Sequence, residues 1–333
     1  MKRKVELPIA EPIYSTYHNQ GSGGAVCYSN PSIENWYYNQ VMLLSCNRKF
    51  LSGYTTPEIT VADSSWGKNP YIERIKIYTE HMGGYVNIVI RRFLDMGYYL
   101  SFSKVDDYYI EHKSWYKQRH FSHDGLICGY DQEDKTYTLY AYDENWIYRK
   151  FKVSQASFNR GRASMEKQGS FMNLYAIKPT NEQVELDADG IIEKISDYIN
   201  CTLDNYPTTE EGNVYGIAVM EYIAMYIDKL IDGSIPYEKT DKRVMCMIWE
   251  HKKTMLKRLR RTERALYLSS SASDAYESVV TDSDSIRMLY AAYNLKKRDS
   301  LLPVIKNKLL KIKADEEKIL SDFLKSVNEK KEN

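Results

Sequence analysis

The sequence predicts an α+β fold that carries an all-helical C-terminal part. Up to about residue 180, short segments rich in Tyr, Val, Ile and Thr alternate with Gly, Asn and Asp turns, the pattern of strands joined by turns. Beyond that point glycine and proline thin out and apolar residues recur at helical spacing. The 333 residues also exceed one ordinary core, and at about 150 residues per domain they favour two. The expected domains are therefore 1–180, helices packed on an antiparallel sheet, and 181–333, helical.

The elements follow in order. Asn30-Pro31 reads as an N-cap with proline at the first helical position, and Ile33, Trp36, Tyr37, Val41 and Leu44 then share a face, which predicts a helix over 31–46. A second helical stretch is expected over 71–97, interrupted at Gly83-Gly84 and closed by Gly97. Strand patterns fall at 99–105, 124–131, 136–143, 146–153 and 171–179, with the Asp131–Thr136 turn joining two of them as a hairpin. Helices are expected over 183–201, 209–232, 237–268, 273–297 and 300–329, followed by a frayed "NEKKEN" tail.

Composition narrows the function classes. Lys+Arg 46 against Asp+Glu 45 leaves a formal charge of +1, so the overall balance points away from nucleic acid as a partner. Five cysteines occur without CxxC spacing, and the N-terminal residues lack the apolar stretch of a signal peptide. Both argue for a reducing cytoplasmic setting with no disulfide framework and no metal site. His120 and His123, three apart on a strand, point to opposite faces and do not read as metal ligands. No run reaches the roughly 18 apolar residues of a membrane span. Tyr 30 against Phe 8 suits pocket walls that are partly wet.

Nucleophilic catalysis by cysteine needs a thiolate, a base, a group to orient the base, and donors for the oxyanion. Cys27 ends the glycine-rich stretch "NQGSGGAVC", ahead of the helix N-terminus at Pro31, whose dipole would favour a thiolate. His123 begins one strand of a hairpin and Asp143 ends the other, so antiparallel pairing would bring the carboxylate to the imidazole. Asn145 is the alternative orienter, and Gln20 the candidate oxyanion donor.

The glutamine, glycine, serine and cysteine of "NQGSGGAVCYSNP" resemble the papain-superfamily loop, and Asn145-Trp146 is similar to the asparagine-tryptophan pair of papain-like peptidases. "FLDMGYYLSFSKVDDYYI" and "HDGLICGYDQEDKTYTLYAYD" resemble the butirosin-biosynthesis BtrH type of acyltransferase over residues 15–180. The resemblance implies a papain-like fold whose Cys27 takes an acyl or peptidyl chain from the phosphopantetheine thioester of a carrier protein. The chain would then pass to an amine, such as the diamine 1,3-diaminopropane acylated at both ends, in nonribosomal peptide biosynthesis. No cofactor on the enzyme itself is implied beyond that arm. A thioester already carries the energy of amide formation, and no ATP site is visible. The competing expectations are a cysteine peptidase trimming a precursor, and a binding module on an inactive peptidase fold. For docking an acidic carrier, Lys253, Lys257, Arg260 and Arg264 share one face at helical spacing; a solvated helix face is the alternative reading.

Overall fold

A computed structural model describes residues 2–53, 56–62, 64, 66–202 and 212–332. The chain divides into two compact units. One comprises Met1–Glu34 and Ser65–Val184, the other Asn35–Ser64 and Glu185–Asn333. Instead of changing character once near residue 180, the chain makes an early excursion into the helical unit.

The first unit is built on an antiparallel sheet. Its strands are β1 (Lys4–Glu6), β4 (Ile72–Tyr78), β5 (Tyr99–Asp106), β6 (Ser122–Asp131), β7 (Thr136–Tyr142), β8 (Tyr148–Ser154) and β9 (Asn173–Pro179). They run in the order β4-β9-β5-β6-β7-β8, with β1 added on β6. The five strands expected between 99 and 179 are all present within a few residues. β4 replaces the first half of the helix expected over 71–97: Ile72, Ile75 and Ile77 are β-branched, and the segment pairs along its whole length with β9. The second half is helical, as α3 (Val86–Asp95), whose Val86, Ile90 and Leu94 are buried at helical spacing. They join Leu100, Phe102, Ile127, Leu139 and Leu174 in one apolar cluster. α4 (Gln155–Glu166) adds Phe158 to that cluster and is capped by Ser154, whose hydroxyl accepts from the N–H of Ser157.

The glycine-rich stretch is a helix, not a loop. α1 (His18–Cys27) contains three glycines and is buried from Gln20 to Cys27, packed against β6, β7 and β9. Glycine costs a helix about 1 kcal/mol per residue relative to alanine, so packing must favour it here. A Cβ on Gly21 would lie 2.8 Å from the Tyr148 ring, and one on Gly24 would lie 2.9 Å from Pro12. The glycines let this helix approach its neighbours closely. α2 (Pro31–Gln40) starts at the expected proline but ends before 46, because Leu44–Asn47 becomes a strand.

That strand, β2 (Leu44–Asn47), lies between β3 (Ile59–Val61) and β10 (Asn213–Tyr215) in the second unit. Its helices are α5 (Ala188–Asn200), α6 (Val219–Ile231), α7 (Arg243–Ala265), α8 (Ser271–Lys296) and α9 (Leu301–Glu332). Positions 209–211 of the helix expected over 209–232 lie outside the described residues. The expected frayed tail is helical almost to its end, and Lys330 donates to the carbonyls of Leu266 and Tyr267 at 2.6 and 2.7 Å. The core of this unit holds a polar network. Lys252 Nζ donates to Glu316 Oε2 at 2.7 Å and to the Tyr198 hydroxyl at 2.9 Å, while Tyr276 donates to Glu316 Oε1. Arg258, fully buried, donates to the carbonyls of Tyr38 and Val41 at 2.8 and 2.6 Å, satisfying carbonyls left open where α2 ends. No described helix is long and apolar enough to cross a membrane.

Candidate functional site

Cys27 and His123 share no hydrogen bond among the described residues, and each is engaged by other partners. Cys27 is the last residue of α1 and fully buried, and its Sγ donates to the carbonyl of Ile33 at 3.6 Å and accepts from Asn69 Nδ2 at 3.4 Å. Burial pushes its thiol up to about 12, with Asn69 pulling it down and the nearby Glu34 carboxylate adding to the rise. The C-terminal end of α1 carries the negative end of the helix dipole, which opposes a thiolate. Gln20 is buried in the first turn of the same helix. At 1.5 Å per residue the two backbones are about 10 Å apart along the axis, too far for the Gln20 amide to serve an oxyanion at Cys27.

Asp143 is also otherwise engaged. Extending the β6–β7 register from Leu126↔Tyr140 would set Asp143 opposite His123, but the ladder ends at that pair. The Asp143 carboxylate instead accepts from the N–H of Asn145 at 2.8 Å, from that of Ile147 at 2.9 Å, and from Arg149. Burial works to raise its carboxyl, yet Arg149 and the two N–H groups outweigh it and hold it below the ordinary range. Asp143 is the organiser of the β7–β8 turn. Asn145 is exposed and contributes its backbone N–H to that turn, with no hydrogen bond to His123.

The partner of His123 is Asp107. The end of β5 pairs with the start of β6 through Val105↔His123, so the residue two beyond Val105 arrives beside the imidazole. Asp107, 2% exposed, accepts from Nδ1 of His123 at 2.8 Å. A carboxylate can only accept, so Nδ1 carries a proton, and in the neutral ring Nε2 presents its lone pair. Nε2 makes no hydrogen bond among the described residues, and the side chain is 26% exposed. Lys113 Nζ stands 3.3 Å from Nδ1 and 3.9 Å from Asp107 Oδ1. Burial pushes the Lys113 ammonium down, against the pull of Asp107, Asp124 and Asp143.

The neighbouring Asp106 has a different task. It is fully buried and accepts from the N–H groups of Tyr108 and Phe121 at 3.2 and 3.1 Å and from Ser164 Oγ at 2.7 Å, and it meets His120 Nδ1 at 2.7 Å. These bonds fix both ends of the 107–121 loop, which carries Asp107 and Lys113.

The buried helix reaches the same place through its N-terminus. His18 Nε2 lies 3.1 Å from Ser22 Oγ and Nδ1 lies 3.0 Å from the Tyr148 hydroxyl. Ser22 donates to the His18 carbonyl at 2.7 Å, so its oxygen accepts from Nε2–H while Tyr148 donates to Nδ1. Burial pushes this imidazole down to about 3, and the positive fields of Lys113 and His123 add to that. His18 is neutral at physiological pH. The side chains gathered around His123 are therefore Asp107, Lys113 and Phe121, whose ring packs edge-on at 5.5 Å between centroids, with His18 within electrostatic reach. Sequence reasoning singled out none of Asp107, Lys113 and His18: Asp107 lies in the stretch "FLDMGYYLSFSKVDDYYI" without being marked there, and Lys113 and His18 stand in no pattern that marks them.

On α7, Lys253 is half-buried over the Trp249 ring at 4.2 Å, and Arg260 pairs with Glu277 of α8. Lys257 and Arg264 are exposed. No protein-family model and no curated protein matches the chain.

Proposed function

We propose that the protein is an acyltransferase that moves an acyl group from a thioester to an amine, with the His123–Asp107 dyad as general base. The observation that carries this reading is the 2.8 Å contact between Asp107 and His123 Nδ1, which leaves Nε2 free to take a proton. An imidazole held in this tautomer by a buried carboxylate is the arrangement that general-base catalysis requires. In the reaction, Nε2 removes a proton from the incoming amine, the nitrogen attacks the thioester carbonyl, and the C–S bond breaks as the C–N bond forms. The acyl group passes directly between substrates. The buried thiol of Cys27, raised to about 12, supports a structural role for that residue in place of the expected nucleophile.

The thioester donor of this reading is an acyl-loaded carrier protein with its phosphopantetheine arm. The α7 face of Lys253, Lys257, Arg260 and Arg264 remains the proposed docking surface, reduced by the pairing of Arg260 with Glu277. A specific observation also favours a second reading, a binding module on an inactive catalytic scaffold: no cysteine or serine hydrogen-bonds to His123 among the described residues.

An assay of amide formation from an acyl-pantetheine thioester and a primary amine separates these readings. Cys27→Ser should retain the rate, and His123→Ala should lose roughly 10²- to 10⁴-fold. Loss of activity in Cys27→Ser with the fold intact would restore the covalent route, and no activity in the parent protein would favour the binding module.

A further inference from the structure

A row of side chains in contact leads away from His123. The Phe121 ring packs edge-on against the imidazole at 5.5 Å between centroids, and the Trp115 ring lies 6.2 Å from that of Phe121. The Arg119 guanidinium stands over the Trp115 ring at 5.6 Å. The row lies at the surface: Phe121 is 39% exposed, Trp115 is half-buried and Arg119 is exposed. Apolar area beside the base is therefore open to whatever approaches it, and a cation closes the far end.

The loop holds this row in place. Asp106 fixes its ends through the N–H groups of Tyr108 and Phe121. Within it, the N–H groups of Gln118 and Arg119 donate to the Trp115 carbonyl at 3.0 and 3.2 Å, and that of Lys117 to the Tyr108 carbonyl at 3.0 Å. Side chains ordered in advance lower the cost of binding. The charge of the loop has one sign. From His112 to His123 the sequence carries Lys113, Lys117 and Arg119 and no acidic residue. Lys113 faces Asp107. Among the described residues the side chains of Lys117 and Arg119 make no hydrogen bond and no ion pair, and Lys117 stands over the Tyr116 ring at 5.1 Å. Stacking on a ring face leaves the N–H groups of a guanidinium open, and their planar fork matches the oxygens of a phosphate.

We propose that this row binds the acyl donor, with the methyl and methylene groups of the pantetheine arm along Phe121 and Trp115 and its phosphate on Arg119. The inference rests on the acyl-transfer reading and names the residues that recognise the thioester donor. Lys117 adds to the positive field at the phosphate end. The thioester end of the arm then lies beside His123, where Nε2 activates the amine.

The test is a calorimetric titration of the full chain, with no amine present, using phosphopantetheine, pantetheine and inorganic phosphate. The parent protein should bind phosphopantetheine roughly tenfold or more tightly than either of the other two. Arg119→Gln should remove the preference over pantetheine, and Phe121→Ala should weaken both pantetheine compounds while leaving inorganic phosphate unchanged. Both side chains are exposed, so these variants should keep the parent's urea midpoint. Equal affinity of the parent for phosphopantetheine and pantetheine, equal affinity of the parent and Arg119→Gln for phosphopantetheine, or no binding by the parent would each overturn the proposal. Inorganic phosphate bound as tightly as phosphopantetheine would overturn it too, since the rings would then contribute nothing. The amide-forming assay uses an acyl-pantetheine without phosphate, so its failure would count against the chemistry at His123 and leave the phosphate preference of Arg119 to be read separately.

Discussion

His123 turns Nδ1 toward Asp107, at 2.8 Å, while the carboxylate at the far end of the β6–β7 hairpin, Asp143, closes a turn with Arg149 and two backbone N–H groups. The two aspartates therefore predict different mutant behaviour. Asp107→Asn presents an amide that can donate to Nδ1, which moves the ring proton to Nε2 and removes the lone pair that faces substrate. Amide formation near neutral pH should fall roughly 10²- to 10⁴-fold, and the 15N shifts of the His123 ring should report the other tautomer. Asp143→Asn should lower stability and leave that tautomer as it is.

The buried cysteines predict a pH dependence of stability. Burial raises the thiols of Cys27, Cys46 and Cys128 from the ordinary 9.0 to about 12. Their protonated form belongs to the folded state, so this contribution is complete below pH 9.0 and is lost as pH rises from there toward about 12, where the unfolded chain ionises first. Urea unfolding at increasing alkaline pH should show a progressive loss of stability. At neutral pH, native Cys27 should resist iodoacetamide and react only after unfolding, as mass spectrometry of the alkylated protein would show.

Alanine is the better helix former, yet Gly21→Ala should destabilise the protein. The added methyl meets the Tyr148 ring at 2.8 Å, and overpacking of this kind costs about 1–3 kcal/mol. Since Tyr148 also holds His18, the substitution should perturb the His18 ring resonances as well as the urea midpoint.

In the helical unit, Glu316→Gln takes the counter-charge from Lys252, which is fully buried. Removing one member of a buried ion pair costs about 3–5 kcal/mol. The thermal midpoint should fall clearly, and Lys252→Met combined with Glu316→Gln should recover part of the loss.

The strands from 99 to 179 were legible because alternation and turn residues are local signals. α1 was not, because three glycines argue against a helix until their close contacts with Tyr148 and Pro12 are known. β4 shares its apolar residues with a helical pattern, and only its pairing with β9 decides between them. The excursion of Asn35–Ser64 into the helical unit depends on partners far along the chain, such as His251 with the Met42 carbonyl and Arg258 with that of Tyr38. In the site, His123 was legible as the candidate base. Hairpin spacing alone suggested Asp143, and the Val105↔His123 pairing that delivers Asp107 from the neighbouring strand is a tertiary fact. Lys113 arrives through a loop whose path is set by the buried Asp106.

In the proposed reaction the acyl group moves directly to the amine under the control of His123. Intact-protein mass spectrometry during a single turnover with an acyl-pantetheine thioester tests it most directly. Direct transfer predicts amide formation in the parent protein with no acyl adduct at any cysteine, and none of that product from His123→Ala. An acyl adduct on Cys27 that the amine then discharges would contradict it.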